Sequence, residues 1–271
     1  MEAKGTYTDA GAIASDILDG SMSVTTVSTV NTDAVGSYTV TYSVSDANGN
    51  AAANVVRTVS VVDTTKPVIT LVGNATETVE AKSTYTDAGA SASDIVDGNL
   101  TGSVTSVSTV NTDAVGSYSV TYSVSDTEGN TAPDVVRTVS VVDTTKPVIT
   151  LLGDAIEIVE AKGTYVDAGA SAIDTLDGSL TVTTLNTVNT DEVGIYTVTY
   201  SVSDANGNAA ADVVRAVGVV DTTKPVITLL GSATETVEAK GTYSDAGASA
   251  SDTLDGILIC LLYTSPSPRD A

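Results

Sequence analysis

The chain has 271 residues and a formal net charge of −23, with 34 Asp and Glu residues against 11 Lys and Arg residues. Because nucleic acids and anionic membrane surfaces are also negative, this charge repels both and makes them poor partners. No apolar run is long enough to insert in a membrane. His, Trp and Phe are absent, and without His a hydroxyl or thiol nucleophile would lack its usual base. We therefore expect a protein that is not an enzyme.

An internal repeat sets the domain organisation. The motif Asp-Thr-Thr-Lys-Pro-Val-Ile-Thr-Leu begins at Asp63, Asp143 and Asp221, at spacings of 80 and 78 residues. Regular spacing of this kind is typical of tandem domains. We predict a first repeat without its beginning at 1–62, complete repeats at 63–142 and 143–220, and a last repeat without its end at 221–259.

The remaining residues, 260–271, match no part of the repeat. They read Cys-Leu-Leu-Tyr-Thr-Ser-Pro-Ser-Pro-Arg-Asp-Ala, and 260–270 resemble a translated sequencing adapter. We interpret 260–271 as an artefactual tail and exclude it from the fold prediction. The only cysteine, Cys260, belongs to this tail, so the repeats themselves contain no disulfide.

The first half of the complete repeat at 63–142 contains short strand candidates. The stretch Ala88–Ser93 consists of small residues without a clear pattern, and Asp94, Asp97 and Gly98 predict a turn. We expect strands at Pro67–Leu71, Glu77–Glu80 and Thr84–Thr86.

The second half carries the strongest strand signals. Ser103–Val110 is rich in Val, Thr and Ser, but its valines are three apart, which predicts a bulge or a change of face. Gly116–Asp126 alternates large apolar with small polar residues, the pattern of a half-buried strand. The turn at 127–130, which reads Asn-Gly in the other copies, leads to a last strand at Val135–Val142. The pattern predicts an all-β antiparallel Greek-key sandwich.

The start of the main strand carries a further motif. Asp113, Gly116 and Tyr118 precede Val120 in the order Asp-x-x-Gly-x-Tyr-x-Val. This order resembles the tyrosine corner of immunoglobulin-like domains, in which the tyrosine lies two residues before the disulfide cysteine. Val40, Val120 and Val198 occupy the cysteine position, which predicts a variant held together by burial alone.

The repeats resemble bacterial immunoglobulin-like repeats in four motifs taken together. These are Asp-Thr-Thr-Lys-Pro-Val-Ile-Thr-Leu, Thr-Tyr-x-Asp-Ala-Gly-Ala, Asp-x-x-Asp-Gly and Gly-x-Tyr-x-Val-x-Tyr-x-Val-x-Asp. Such repeats occur in large surface adhesins and in a pesticidal crystal protein, and they are related to the hyalin repeat. The resemblance covers residues 1 to about 259. It implies tandem β-sandwiches on secreted or cell-surface bacterial proteins, and it implies no catalytic residue.

The acidic residues of the loops predict a metal site. Calcium prefers several carboxylate and carbonyl oxygens, and each repeat offers such groups in its linker and turns. The alternative is a solvated acidic surface that keeps neighbouring domains soluble. The candidate calcium ligands are Asp63, Asp87, Asp94, Asp97, Asp126, Asp143, Asp167, Asp174, Asp177, Asp204 and Asp221.

Two functions remain open at this stage. The first is a non-catalytic spacer or stalk in a secreted or surface-bound bacterial protein such as an adhesin, in which each repeat contacts its neighbours in the chain. The second is an accessory module of a secreted hydrolase or toxin that binds a host or environmental glycan or protein. For the second, Tyr85 and its equivalents Tyr7, Tyr165 and Tyr243 are the candidate aromatic contacts, because Tyr118 and Tyr122 are expected in the core.

Overall fold

The computed structural model describes residues 1–259, which form β-strands and one short 3₁₀ turn at Thr101–Ser103. The chain divides into two compact units, Met1–Asp143 and the part that begins at Thr144. The predicted tail at 260–271 lies outside the described residues. Within residues 1–259, no helix has the length and apolar character needed to cross a membrane.

The strands follow the repeat pattern, with the fullest sets in the two central repeats. The first repeat contains β1 (Ala14–Asp16), β2 (Gly20–Met22), β3 (Thr25–Ser28), β4 (Gly36–Ser43) and β5 (Val55–Val61). The second contains β6 (Val68–Leu71), β7 (Thr76–Glu80), β8 (Ala90–Asp94), β9 (Gly98–Asn99), β10 (Thr105–Ser108), β11 (Gly116–Ser123) and β12 (Val135–Val142). The third contains β13 (Val148–Leu151), β14 (Ile156–Glu160), β15 (Ala170–Asp174), β16 (Gly178–Leu180), β17 (Thr183–Asn186), β18 (Gly194–Ser201) and β19 (Val213–Val220). The last contains β20 (Val226–Leu229), β21 (Ala248–Asp252) and β22 (Gly256–Leu258).

The second repeat shows the architecture of a complete unit. One sheet has the order β6-β8-β9, and the other has the order β10-β11-β12-β7. Every pairing is antiparallel except that of β7 with β12, which is parallel. The third repeat has the same two sheets, β13-β15-β16 and β14-β19-β18-β17. The all-β sandwich prediction is confirmed, with one parallel edge pair in each complete repeat.

The core of the second repeat follows from the alternation in β11 and β12. Val120 and Tyr122 in β11 are each 1% exposed, whereas the intervening Thr121 is only half-buried. Ile69 and Ala92 from the other sheet pack against the inward residues of β11. Because side chains alternate between the two faces of a strand, one face of each sheet supplies the core.

The predicted strands agree with the structure in the second half of the repeat and partly in the first. The last strand has the predicted bounds, and the unassigned stretch at 88–93 holds most of β8. The prediction of a strand at Thr84–Thr86 is wrong, because this segment is an irregular connection. Its Tyr85 ring packs against the core, and the Tyr85 hydroxyl donates a hydrogen bond to Asp87. The predicted change of face near β10 is present: Val107 is 69% exposed, whereas its neighbours three residues away pack on the core.

The tyrosine corner is present in three repeats. The Tyr118 hydroxyl donates a hydrogen bond to the Ala114 carbonyl at 2.9 Å. Tyr38 and Tyr196 bond in the same way to the carbonyls four residues before them. Val120 is buried in the cysteine position, so apolar packing replaces the disulfide there. Tyr118 itself is half-buried rather than fully enclosed in the core.

Candidate functional site

The Asp-x-x-Asp-Gly turn between β8 and β9 fixes two carboxylates. Asp94 Oδ1 accepts hydrogen bonds from the backbone N–H groups of Val96 at 2.6 Å and Asp97 at 3.2 Å. Asp side chains commonly hold turns in this way. Gly98 completes the turn at φ +73°, a left-handed conformation that favours glycine. The turn thus holds the carboxylates of Asp94 and Asp97 near each other.

The linker adds a third carboxylate at the start of the second repeat. Asp63 lies two residues after the end of β5 and is 6% exposed. Its Oδ1 accepts a hydrogen bond from the Thr65 N–H at 3.0 Å, which keeps the side chain folded against its own backbone. Asp63, Asp94 and Asp97 each place a carboxylate oxygen within 4.8 Å of the others. A linker residue and a turn some thirty positions later therefore converge on one site.

Two oxygens of this acidic site lack a hydrogen-bond donor. Asp63 Oδ2 and Asp94 Oδ2 are buried, and neither accepts a hydrogen bond from the protein. An unpaired buried carboxylate oxygen is costly, and neighbouring negative charges add repulsion. The pKa of Asp63 is accordingly raised, first by burial and then by the nearby carboxylates of Asp94 and Asp126.

The loop between β11 and β12 makes hydrogen bonds to the acidic site. Asp126 accepts hydrogen bonds from the backbone and side-chain amides of Asn130, and Asn130 Nδ2 also donates to the Asp63 carbonyl at 3.1 Å. Asp97 accepts two further bonds from the N–H and hydroxyl of Thr127, at 2.8 and 3.0 Å. Four of the predicted ligands, Asp63, Asp94, Asp97 and Asp126, therefore lie in one region.

The other repeats carry the same residues in the same elements. Asp221, Asp252 and Asp255 bring carboxylate oxygens within 4.8 Å of one another at the start of the last repeat. In the third repeat, Asp174 holds the backbone N–H groups of the Asp177 turn, and its Oδ2 is buried without a donor. The remaining predicted ligands of these repeats lie at matching places in the chain. Asp143 is buried at the end of the first unit, and Asp204 bonds to Asn208 in the β18–β19 loop.

Asp87 and Asp167 are not brought to these acidic sites. The Asp87 carboxylate bonds to the guanidinium of Arg137 and to the hydroxyls of Tyr85 at 3.0 Å and Tyr122 at 2.5 Å. Asp167 has the same partners in Arg215, Tyr165 and Tyr200. Burial acts to raise the pKa of Asp87, but the tyrosine hydrogen bonds and the arginine charge outweigh it and lower this pKa.

Arg137 is the centre of this polar network and is fully buried. It takes an inward position of β12, where the alternation otherwise places valines. Its Nη2 donates to the carbonyls of Val72 and of Gly89, and its Nε donates to the Asn74 carbonyl at 3.0 Å. The guanidinium also lies 5.9 Å from the ring centroid of Tyr122. Because its donors are satisfied, this buried charge ties β12 to the loops around it.

A second set of contacts holds the linkers between repeats. Glu160 ends β14, which pairs in parallel with β19, so its carboxylate lies beside the point where the chain leaves the third repeat. It accepts hydrogen bonds from the N–H and hydroxyl groups of both Thr222 and Thr223, at 2.7 to 2.9 Å. These bonds lower the pKa of Glu160 to about 2, with the Thr223 hydroxyl the largest cause. Glu2 binds Thr64 and Thr65 in the same way.

The sequence interpretation missed several of these residues. Asp252 and Asp255 repeat the Asp-x-x-Asp-Gly motif and could have been found by aligning the last copy with the others. Arg57, Arg137 and Arg215 also recur, each at an inward position of the last strand. The role of Glu160 depends on the parallel pairing of β14 with β19, which the local sequence pattern does not reveal.

Comparison with known proteins agrees with this architecture. Residues 1–61, 69–141 and 149–219 match the family described as bacterial surface protein, Ig-like domain. Hyalin from Strongylocentrotus purpuratus is 33% identical over 252 residues, 86% of this chain and 19% of that protein. Hyalin from Lytechinus variegatus is 31% identical over 255 residues, 87% of this chain and 44% of that protein.

Two further similarities are to a phage protein and to a solved structure. An uncharacterized 81.3 kDa protein of Acholeplasma phage L2 is 30% identical over 213 residues, 72% of this chain and 28% of that protein. The structure of the M60 catalytic domain with two CBM51 domains of Clostridium perfringens ZmpB aligns at 14% identity and a TM-score of 0.33, over 80% of this chain and 38% of that one. The chain spans less than half the length of the curated relatives that it matches.

Proposed function

The chain belongs to the family of bacterial surface proteins with Ig-like domains, and from this premise we propose that it is a non-catalytic spacer in a secreted or cell-surface protein such as an adhesin. In this role, the tandem repeats hold another part of the parent protein away from the cell. The length of the spacer then follows the number of repeats. The family assignment supports an extracellular location and a repeat array as the working part of this chain.

The observation that carries the proposal is that both neighbouring repeats bind the linker between the first and second repeats. The preceding repeat holds Thr64 and Thr65 through the Glu2 carboxylate, at 2.7 to 3.0 Å. The following repeat buries Asp63 beside its own turn and bonds to the Asp63 carbonyl through Asn130. A spacer needs joints that resist bending, and a linker fixed at consecutive residues supplies them.

The alternative function, a glycan- or protein-binding accessory module, has less support. Carbohydrate-binding surfaces commonly use exposed aromatic rings. The candidate rings in this chain are Tyr85 and its equivalents. Tyr7, Tyr85 and Tyr165 pack against the hydrophobic cores of their repeats, and each donates its hydroxyl to an aspartate. Tyr243 is 57% exposed. The second function therefore rests on one exposed ring among the described residues.

Surface display distinguishes the two functions. One copy or two tandem copies of residues 1–259 are placed between a membrane anchor and a terminal peptide tag on a bacterial cell that carries a thick surface layer. The spacer role predicts that antibody access to the tag rises with copy number, and that the array without a tag binds nothing on a glycan array. Equal access for both lengths would contradict the spacer role, and glycan binding lost in Tyr243→Ala would support the alternative.

A further inference from the structure

We propose that Asp63, Asp94 and Asp97 form a calcium-binding site at the point where the linker enters the second repeat. The site belongs to the joint, since one ligand comes from the linker and two come from a turn of the repeat that follows. Asp126 lies next to it in the β11–β12 loop. This inference rests on the joint residues alone and does not depend on the spacer role.

The geometry of the three carboxylates suits a single ion. Calcium binds oxygen ligands at about 2.4 Å, so two ligands of one ion lie at most about 4.8 Å apart. Oxygens of Asp63, Asp94 and Asp97 are mutually within 4.8 Å. The backbone already holds them in place, because Asp63 Oδ1 and Asp94 Oδ1 each accept N–H bonds from their own turns. A cation would meet ligands that need little rearrangement.

The unpaired oxygens point to a ligand rather than to a solvated acidic surface. Asp63 and Asp94 are 6% and 9% exposed, and the Oδ2 atom of each is buried with no protein donor. In both residues Oδ1 is used by the turn and Oδ2 is left unpaired. Buried charges in proteins are usually paired or bound to a metal. The same unpaired Oδ2 recurs at Asp174 and Asp252, the equivalent positions of later repeats.

The chemistry of the site favours calcium over other metals. All three ligands are carboxylates, and neither a sulfur nor an imidazole ligand accompanies them in the cluster. Hard oxygen ligands select calcium or magnesium over softer transition metals. Magnesium requires near-ideal octahedral geometry at about 2.0–2.1 Å, whereas calcium accepts irregular carboxylate sites and fills its remaining positions with water. Three carboxylates also provide a net negative charge for a divalent ion.

Calorimetric titration of the full chain tests the proposal. The protein is dialysed against a chelator and titrated with CaCl₂, and its thermal melting is followed with and without millimolar calcium. We expect saturable binding and a higher melting temperature for the parent chain. Asp94→Asn should bind one ion fewer per chain, because it removes a charged ligand but keeps the Oδ1 acceptor of the turn. MgCl₂ should bind more weakly than CaCl₂.

The control is Asp134→Asn, which removes one charge at an exposed position of the same repeat. Its calcium stoichiometry should equal that of the parent. If Asp94→Asn does not fold, Asp97→Asn replaces it, and the parent titration is decisive in either case. An unchanged melting temperature and no saturable heat for the parent would overturn the proposal. Equal losses in Asp94→Asn and Asp134→Asn would also overturn it, because they would indicate general attraction to the acidic surface.

Discussion

The hydroxyl of Tyr122 donates a 2.5 Å hydrogen bond to the carboxylate of Asp87. Tyr122 lies in β11, whereas Asp87 lies in the connection that precedes β8, so the bond ties the four-stranded sheet to the chain crossing between the sheets. Arg137 binds the same carboxylate from β12. Tyr122 and Arg137 are fully buried and the Asp87 side chain is 25% exposed, so the three form a polar cluster beside the apolar core of this repeat.

Replacement of Arg137 by Met should strongly destabilise the second repeat. The change leaves the Asp87 carboxylate and the carbonyls around it without their main donor, and such losses cost about 3–5 kcal/mol when a buried pair is broken. Amide hydrogen exchange of β11 and β12 measures the free energy of opening of this repeat. The matched control is Arg57→Met in the first repeat, because Arg57 is 37% exposed and water can replace part of its contacts. A loss at Arg57 as large as that at Arg137 would contradict the role of burial.

Removal of the Tyr118 hydroxyl should have a smaller effect. Tyr118→Phe loses one bond, to the Ala114 carbonyl, at a half-buried site. Such a bond contributes about 0.5–1.5 kcal/mol. Tyr122→Phe should cost more, because the hydrogen bond that it removes has the charged Asp87 carboxylate as acceptor. Bonds to charged groups contribute about 1.5–3 kcal/mol. Urea unfolding of both variants and the parent measures the two losses of unfolding free energy, and a larger loss in Tyr118→Phe would contradict the predicted order.

The joint held by Glu160 should weaken only in strong acid. The hydrogen bonds from Thr222 and Thr223 lower the pKa of Glu160 from 4.5 to about 2. A depressed pKa means that the stabilisation is complete above about pH 4.5 and is lost as the pH falls through about 2. The melting temperatures of the parent and Glu160→Gln, measured across this range, should differ at neutral pH and converge near pH 2. A constant difference would show that the charge of Glu160 is not responsible.

The sequence alone predicts the main sheet and its corner. Alternating residues from Gly116 onward, and the recurrence of Tyr118 with Val120, specify which side chains face the core. The alternation does not predict Arg137, because a charged residue at an inward position contradicts the expected apolar pattern. The fold brings the partners that satisfy its charge, which are Asp87, Glu77 and three loop carbonyls.

The acidic residues show the same limit. The sequence identifies Asp63, Asp94 and Asp97 as candidate ligands, and the fold brings them together. Composition cannot separate them from Asp87, which has the same side chain and a similar loop context but binds Arg137 instead. The difference arises from long-range placement, because the proposed ligand set combines a linker residue with a turn, and no local spacing encodes that contact.

A distance measurement across the linker between the first two repeats decides whether this joint is fixed. In a chain with Cys260→Ser, nitroxide labels at Asn48→Cys and Asp134→Cys allow the distance between the two repeats to be measured by electron spin resonance. A fixed joint predicts one narrow distance distribution. The distribution should broaden when Glu2→Ala removes the acceptor of Thr64 and Thr65, and it should stay narrow in the exposed control Glu128→Ala. A broad distribution in the parent, unchanged by Glu2→Ala, would contradict a fixed joint.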